Sequence, residues 1–167
     1  MKIPLIFFFF FCTLGACTST STNKTALDFV NPFVVTRFHG HTYPGATLPF
    51  GAVQLSPDTR RGNWDACSGY HYSDSTILGF SHTHLSGTGC IDLGDVLLRP
   101  TSMPVQLDGK SEYIFQPARF SHKNEVATPG YYSVYLDDEG IKAELSATTR
   151  AGIHRYTFSD GKEAAVV

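Results

Sequence analysis

The stretch YYSVYLDDEGIKAELSATTRAGIHRYTF, residues 131–158, decides the fold. Residues 131–136 alternate in character, and Asp137, Asp138, Glu139 and Gly140 are turn formers. Ile141, Ala143, Leu145 and Ala147 then fall on one face, with Lys142, Glu144 and Ser146 on the other. Two alternating runs around a turn predict a hairpin. After Arg150, Ala151 and Gly152, a third strand places His154, Tyr156 and Phe158 on one face, opposite Ile153, Arg155 and Thr157.

Outward from that hairpin, strand signals continue. A further strand is expected to start at Ala164 and to be cut off at Val167, and earlier ones are expected at residues 33–36, 52–55 and 96–99. Pro and Gly interrupt every candidate helix. The fold class is therefore all-β: an antiparallel β-sandwich with long loops, incomplete at its C-terminal end. Residues 37–51 and 56–94 lack sustained alternation yet are rich in His, Gly, Asp and aromatic residues. Loops of that length in a compact domain carry function or are disordered, and this composition is too aromatic for disorder.

The N-terminus has a separate purpose. Lys2 is followed by an apolar run built on Phe7 to Phe11 and by small residues, the pattern of a secretory signal. Leu14-Gly15-Ala16-Cys17 resembles a bacterial lipobox, so residues 1–17 read as a lipoprotein signal ending at a lipidated Cys17. Residues 18–26 form a Ser/Thr-rich tether, and the sandwich occupies residues 27–167. This layout implies an outer-membrane lipoprotein, periplasmic or at the cell surface, that touches the membrane through its lipid alone. The whole sequence carries 13 basic and 15 acidic side chains for a net charge of −2. Such a balance gives no electrostatic reason to bind nucleic acid. Cys67 and Cys90 are the cysteines left within the fold; a disulfide between them and two free thiols both remain open.

Several residue types in the loops suggest chemistry. His39-Gly40-His41 and His82-Thr83-His84 are both His-X-His, and His71 adds a fifth imidazole. They suit a polar cleft, a metal or a structural role, and no HExxH-type base accompanies them. Asp58, Asp65, Asp74, Asp92 and Asp95 lie in the same region, where glycosidic cleavage would need an acid and a base. Turn duty is the better expectation for Asp58, after Pro57, and for Asp95, after Gly94. Ser86-Gly87-Thr88-Gly89 is a tight loop, neither a nucleophile elbow nor a phosphate cradle. Trp64 and Asp65 set an aromatic face beside hydrogen-bonding groups, which suits a sugar.

The quoted loops carry a resemblance. VNPFVVTRFHGHTYPGATLPFGAVQLSPDTR (30–60), NWDACSGYHYSD (63–74), LGFSHTHLSGTGCIDLGDVLLRP (78–100) and ATTRAGIHRYTF (147–158) together look like the N-terminal domain of glycoside hydrolase family 92, the calcium-dependent exo-α-mannosidases. The resemblance implies a β-sandwich partnered by a C-terminal (α/α)6 barrel, with the active site between them. It implies an inverting α-mannosidase acting on N-glycan or mannan ends, in which a carboxylic acid and a carboxylate base flank the bond and Ca2+ binds the mannose hydroxyls. Acid, base and calcium ligands are expected outside this chain, which alone should be inactive. The sugar-facing residues are expected to be Trp64, Asp65, His41 and His82. One departure is clear: where the family has a glycine-rich approach resembling G-T-G-G, this chain has Val35-Thr36-Arg37-Phe38, which removes freedom for positive φ. A non-catalytic carbohydrate-binding surface lipoprotein is the alternative reading.

Overall fold

The computed structural model describes residues 24–91, 93–105, 116–161 and 163–167. The signal segment with Cys17, most of the tether and Asp92 lie outside the described residues. Among the described residues ten strands are separated by connections, several of them long: β1 (Ala46–Thr47), β2 (Gln54–Asp58), β3 (Thr76–Ile77), β4 (Gly79–Ser81), β5 (Pro100–Thr101), β6 (Ala118–Thr128), β7 (Tyr131–Leu136), β8 (Ile141–Ala147), β9 (Gly152–Phe158) and β10 (Ala165–Val166). The described helical turns are two short 3-10 segments, Ala26–Phe29 and Trp64–Ala66.

Among the described residues all ladders are antiparallel. A five-stranded sheet runs β3-β6-β7-β8-β9, a three-stranded sheet runs β1-β2-β4, and β10 pairs with β5. The β7-β8 hairpin pairs Leu136 with Ile141 and Tyr131 with Ser146, and β8 continues onto β9 with Leu145 opposite His154. The quoted stretch thus supplies three adjacent strands of the larger sheet. Alternation explains the burial. Ile141, Ala143 and Leu145 are buried while Lys142 and Ser146 are exposed, and β9 alternates along its whole length. Those inward side chains meet Ala46, Leu55, Ile77 and Phe80 from the smaller sheet and β3, with Tyr132, Val134 and Leu136 beside them. Such a two-layer core is what a half-apolar sheet requires.

Several strand expectations shift. Residues 33–36 form turns, and Val35 there has a φ of 63°. The strand expected at 52–55 starts at Gln54 and runs to Asp58, tolerating Pro57 because β1 pairs only with Gln54 and Leu55. In the 96–99 stretch Leu98 makes an isolated bridge to Phe80, and the ladder begins at Pro100. The strand expected at the C-terminal end is β10, lying on β5. The eleven-residue β6 was not expected, because its register breaks between Phe120 and Glu125 and hides the period of two. The disulfide left open for Cys67 and Cys90 is absent: both thiols are free, Cys67 buried and Cys90 exposed.

Neighbouring positions on β8 and β9 test the layering. Leu145 is 1% exposed and Ile153 63%. Leu145→Ala should cost about 2–5 kcal/mol through the cavity it leaves. Ile153→Ala should stay within about 0.5 kcal/mol. Urea unfolding of both variants measures the contrast.

Candidate functional site

Three loops meet around Trp64. Asn63 caps the short turn that carries Trp64, its Oδ1 accepting the Asp65 N–H at 2.8 Å. The loop after Arg37 brings in two imidazoles: His41 meets the indole edge-on at 4.4 Å between ring centroids, and His39 lies tilted at 5.1 Å. His39 Nδ1 also contacts Asp65 Oδ1 at 2.5 Å. The Gly87 N–H donates to the His41 carbonyl at 2.7 Å, which draws the glycine loop against the cluster. At Gly89, whose φ is 67°, any other residue would be strained, and its β-carbon would press on the indole nitrogen at 3.3 Å.

Exposure separates the members. Trp64 is 53% exposed and His41 only 8%. Among the described residues His41 Nε2 is buried without a hydrogen-bond partner. A buried polar nitrogen in that state is costly unless water, a ligand or another segment meets it. The arrangement offers an aromatic face with polar groups at its rim, which can hold a sugar ring through its apolar side and hydroxyls.

The four residues expected from sequence do not all converge. Trp64, Asp65 and His41 come together, and His39 joins them. His82 is engaged elsewhere: its Nδ1 contacts the Val96 carbonyl at 2.8 Å and its Nε2 lies 3.1 Å from Nε2 of His154 on β9. The contact spans 72 residues in sequence and left no local signal. His154 Nδ1 is in turn 2.7 Å from the Tyr156 hydroxyl. A carbonyl only accepts, so His82 Nδ1 carries a proton. Neutral His82 then accepts at Nε2 from His154 Nε2–H, and Tyr156 O–H donates to His154 Nδ1. Burial, reinforced by His82, pushes the His154 imidazolium pKa down to about 4.

The remaining groups hold the loops together. Asp58 is no turn residue: it is buried at the end of β2, with Oδ1 3.2 Å from His84 Nε2. The other ring nitrogen of His84 donates to the Gln54 carbonyl at 2.7 Å, and Ser81 Oγ lies 3.1 Å from Nε2. A β-carbon at Gly69 would sit 2.2 Å from Asp58 Oδ1, so only glycine lets the loop pass. Asp74 is held by Arg60 and by Thr59 at 2.6 Å. Asp95 also differs from a plain turn residue, tying the two ends of the β4-β5 connection together through Thr83 at 3.0 Å. His71 is tied to Ser73 and to the Phe38 carbonyl. Asp58, Asp65, Asp74 and Asp95 thus each have a local partner on at least one carboxylate oxygen, while Asp58 Oδ2 is buried without one among the described residues.

Comparison with known proteins places the geometry in context. The model of the glycosyl hydrolase family 92 N-terminal domain matches residues 29–167. The α-mannosidase BT3965 of Bacteroides thetaiotaomicron, solved alone and with mannoimidazole, is 44% identical with a TM-score of 0.76, over 84% of this chain and 19% of that one. The inverting mannosidase BT2199 of Bacteroides thetaiotaomicron is 28% identical with a TM-score of 0.65, over 86% and 20%. A secreted glycosidase of Arthroderma benhamiae is 30% identical over 135 residues, 79% of this chain and 17% of that protein. The chain therefore spans about a fifth of the length of these relatives.

The His82–His154 pair generates a pH dependence. The folded state holds the His154 imidazolium pKa near 4, below the ordinary 6.5 of histidine, so between those values the unfolded chain binds more protons. Stability should therefore fall as pH drops through that window and level off below it. His154 faces His82 and Tyr156, and a His154→Gln variant should lose this part of the slope. Thermal melts of both proteins between pH 7 and pH 4 measure the difference.

Proposed function

Because the chain belongs to glycosyl hydrolase family 92, as its N-terminal domain, we propose that it forms one wall of the sugar cleft of an inverting exo-α-mannosidase acting on N-glycan or mannan ends. The observation that carries this reading is the half-exposed Trp64 backed by His41, with the His39–Asp65 contact at its side. A mannose ring laid on the indole would bury its apolar face there and turn its hydroxyls toward Asp65 and His39. His82, occupied by His154 and Val96, takes no part in this surface.

Catalytic acid and base are assigned to polypeptide outside this chain, in the (α/α)6 barrel. Calcium belongs there as well. Among the described residues no three His, Cys, Asp or Glu side chains converge on one point. An inverting reaction needs two carboxyl groups roughly 6.5–9.5 Å apart with a water between them. The described loop carboxylates are instead tied to His84, His39, Arg60 and Thr83. Export as a lipoprotein through Cys17, to the outer membrane, completes the proposal.

Kinetics test the reading. The 167-residue chain alone is expected to turn over no α-mannoside. In an intact enzyme carrying this domain, Trp64→Ala should lower kcat/KM for an α-mannoside by roughly tenfold or more, the size of one lost stacking contact. Unchanged kinetics in that variant, or turnover by the isolated chain, would contradict the proposal.

A further inference from the structure

The His82–His154 pair lies apart from the Trp64 cluster, and its geometry suits more than a hydrogen bond. The two Nε2 atoms are 3.1 Å apart, and the ring planes are tilted by 39° with centroids separated by 4.8 Å. Two rings aligned end to end across that gap would have their centroids farther apart, so the ring axes are bent away from the line joining the nitrogens. Two imidazole nitrogens on one tetrahedral zinc, each about 2.0–2.1 Å from it, stand roughly 3.3 Å apart. The observed spacing is within a few tenths of an ångström of that.

The far side of each ring is also prepared. Val96 O accepts from His82 Nδ1, and Tyr156 Oη lies against His154 Nδ1. With the tyrosine oxygen accepting in place of donating, both Nδ1 atoms carry protons and both Nε2 lone pairs are free. Metal-bound histidines are held this way, by a carbonyl or other acceptor on the opposite nitrogen. No rotamer need change; the His154 proton moves from Nε2 to Nδ1 as the tyrosine hydroxyl turns. The backbone fixes the spacing too, because His82 N–H donates to Asp95 O at 3.0 Å, His82 O accepts from Gln54 N, and His154 sits within the β8-β9 ladder.

We infer that His82 and His154 form a two-imidazole site for a divalent transition-metal ion, zinc in particular, with water completing the coordination. Imidazole favours zinc and its neighbours over calcium, which prefers oxygen donors. The ion would tie the connection between β4 and β5 to β9. This site is independent of the sugar surface and of the calcium assigned to the barrel.

Calorimetric titration of the full chain with Zn2+ at pH 7.5, in a buffer without metal-binding groups, tests the inference. The expected result is saturable binding of one equivalent, weakened at least about tenfold by either His82→Gln or His154→Gln, with no comparable binding of Ca2+. Circular dichroism checks that both variants fold. Should either fail, side-chain 15N spectra of the wild-type chain decide, since zinc must shift the Nε2 signals of His82 and His154 first. Absence of zinc binding, equal binding by the folded variants, or zinc shifts confined to other histidines would overturn it.

Discussion

Buried carboxylates hold this domain's loops in shape. Long connections cannot satisfy their polar groups through strand ladders, so side chains must do it. Glu125 on β6 accepts from Tyr70 at 3.0 Å, from Tyr132 at 2.7 Å and from His122 at 2.6 Å, joining the 59–75 loop to two strands of the large sheet. Burial, aided by the Glu125 charge, pushes both phenol pKa values up, so the hydroxyls remain donors. Glu139, inside the hairpin turn, does the same for the 99–102 segment through Arg99, Thr101 and Ser102. Removing one partner from such a buried charged network costs about 3–5 kcal/mol. That is comparable to losing a large core side chain, which makes these carboxylates part of the fold's foundation.

On that foundation the Trp64 surface can tolerate strain. Val35, Phe38 and His41 all have positive φ, between 51° and 63°, within seven residues. Each such non-glycine position costs on the order of 1–3 kcal/mol and persists only where its surroundings over-determine it. A β-carbon on Gly40 would lie 1.8 Å from the Val35 carbonyl, so this one glycine is obligatory even though its neighbours are not glycines. Val35, Phe38 and His41 therefore keep left-handed backbone within the loop without glycine's freedom. Arg37 stacks over Tyr72, 4.6 Å from the ring centroid, and Tyr72 stacks on His122. His122 in turn bonds Glu125, so a continuous column links the strained loop to the buried carboxylate.

How much of this was legible depended on period and range. The β7-β8-β9 stretch alternates cleanly and was readable residue by residue, whereas β6 was hidden by its bulge and by a charged surface face. Trp64 and Asp65 were legible as neighbours in a polar aromatic turn, and His41 through its His-X-His context. His82 was read with them because sequence gives no distance: its partner His154 sits on a strand 72 residues away. Asp58 looked like a turn residue after Pro57, but the β2-β4 pairing carries it inside. The resemblance supplied the family; spacing alone left metal, sugar and structural roles open.

Trp64 is the chain's single tryptophan, so one indole N–H signal reports on the proposed sugar surface. An NMR titration of the 15N-labelled chain with an α-1,2-linked mannobiose tests the account most directly. The account expects a saturable shift of that indole resonance, with smaller shifts at His39, His41 and Gly89. An indole resonance that stays fixed while other regions move, or a spectrum unchanged throughout, would contradict it.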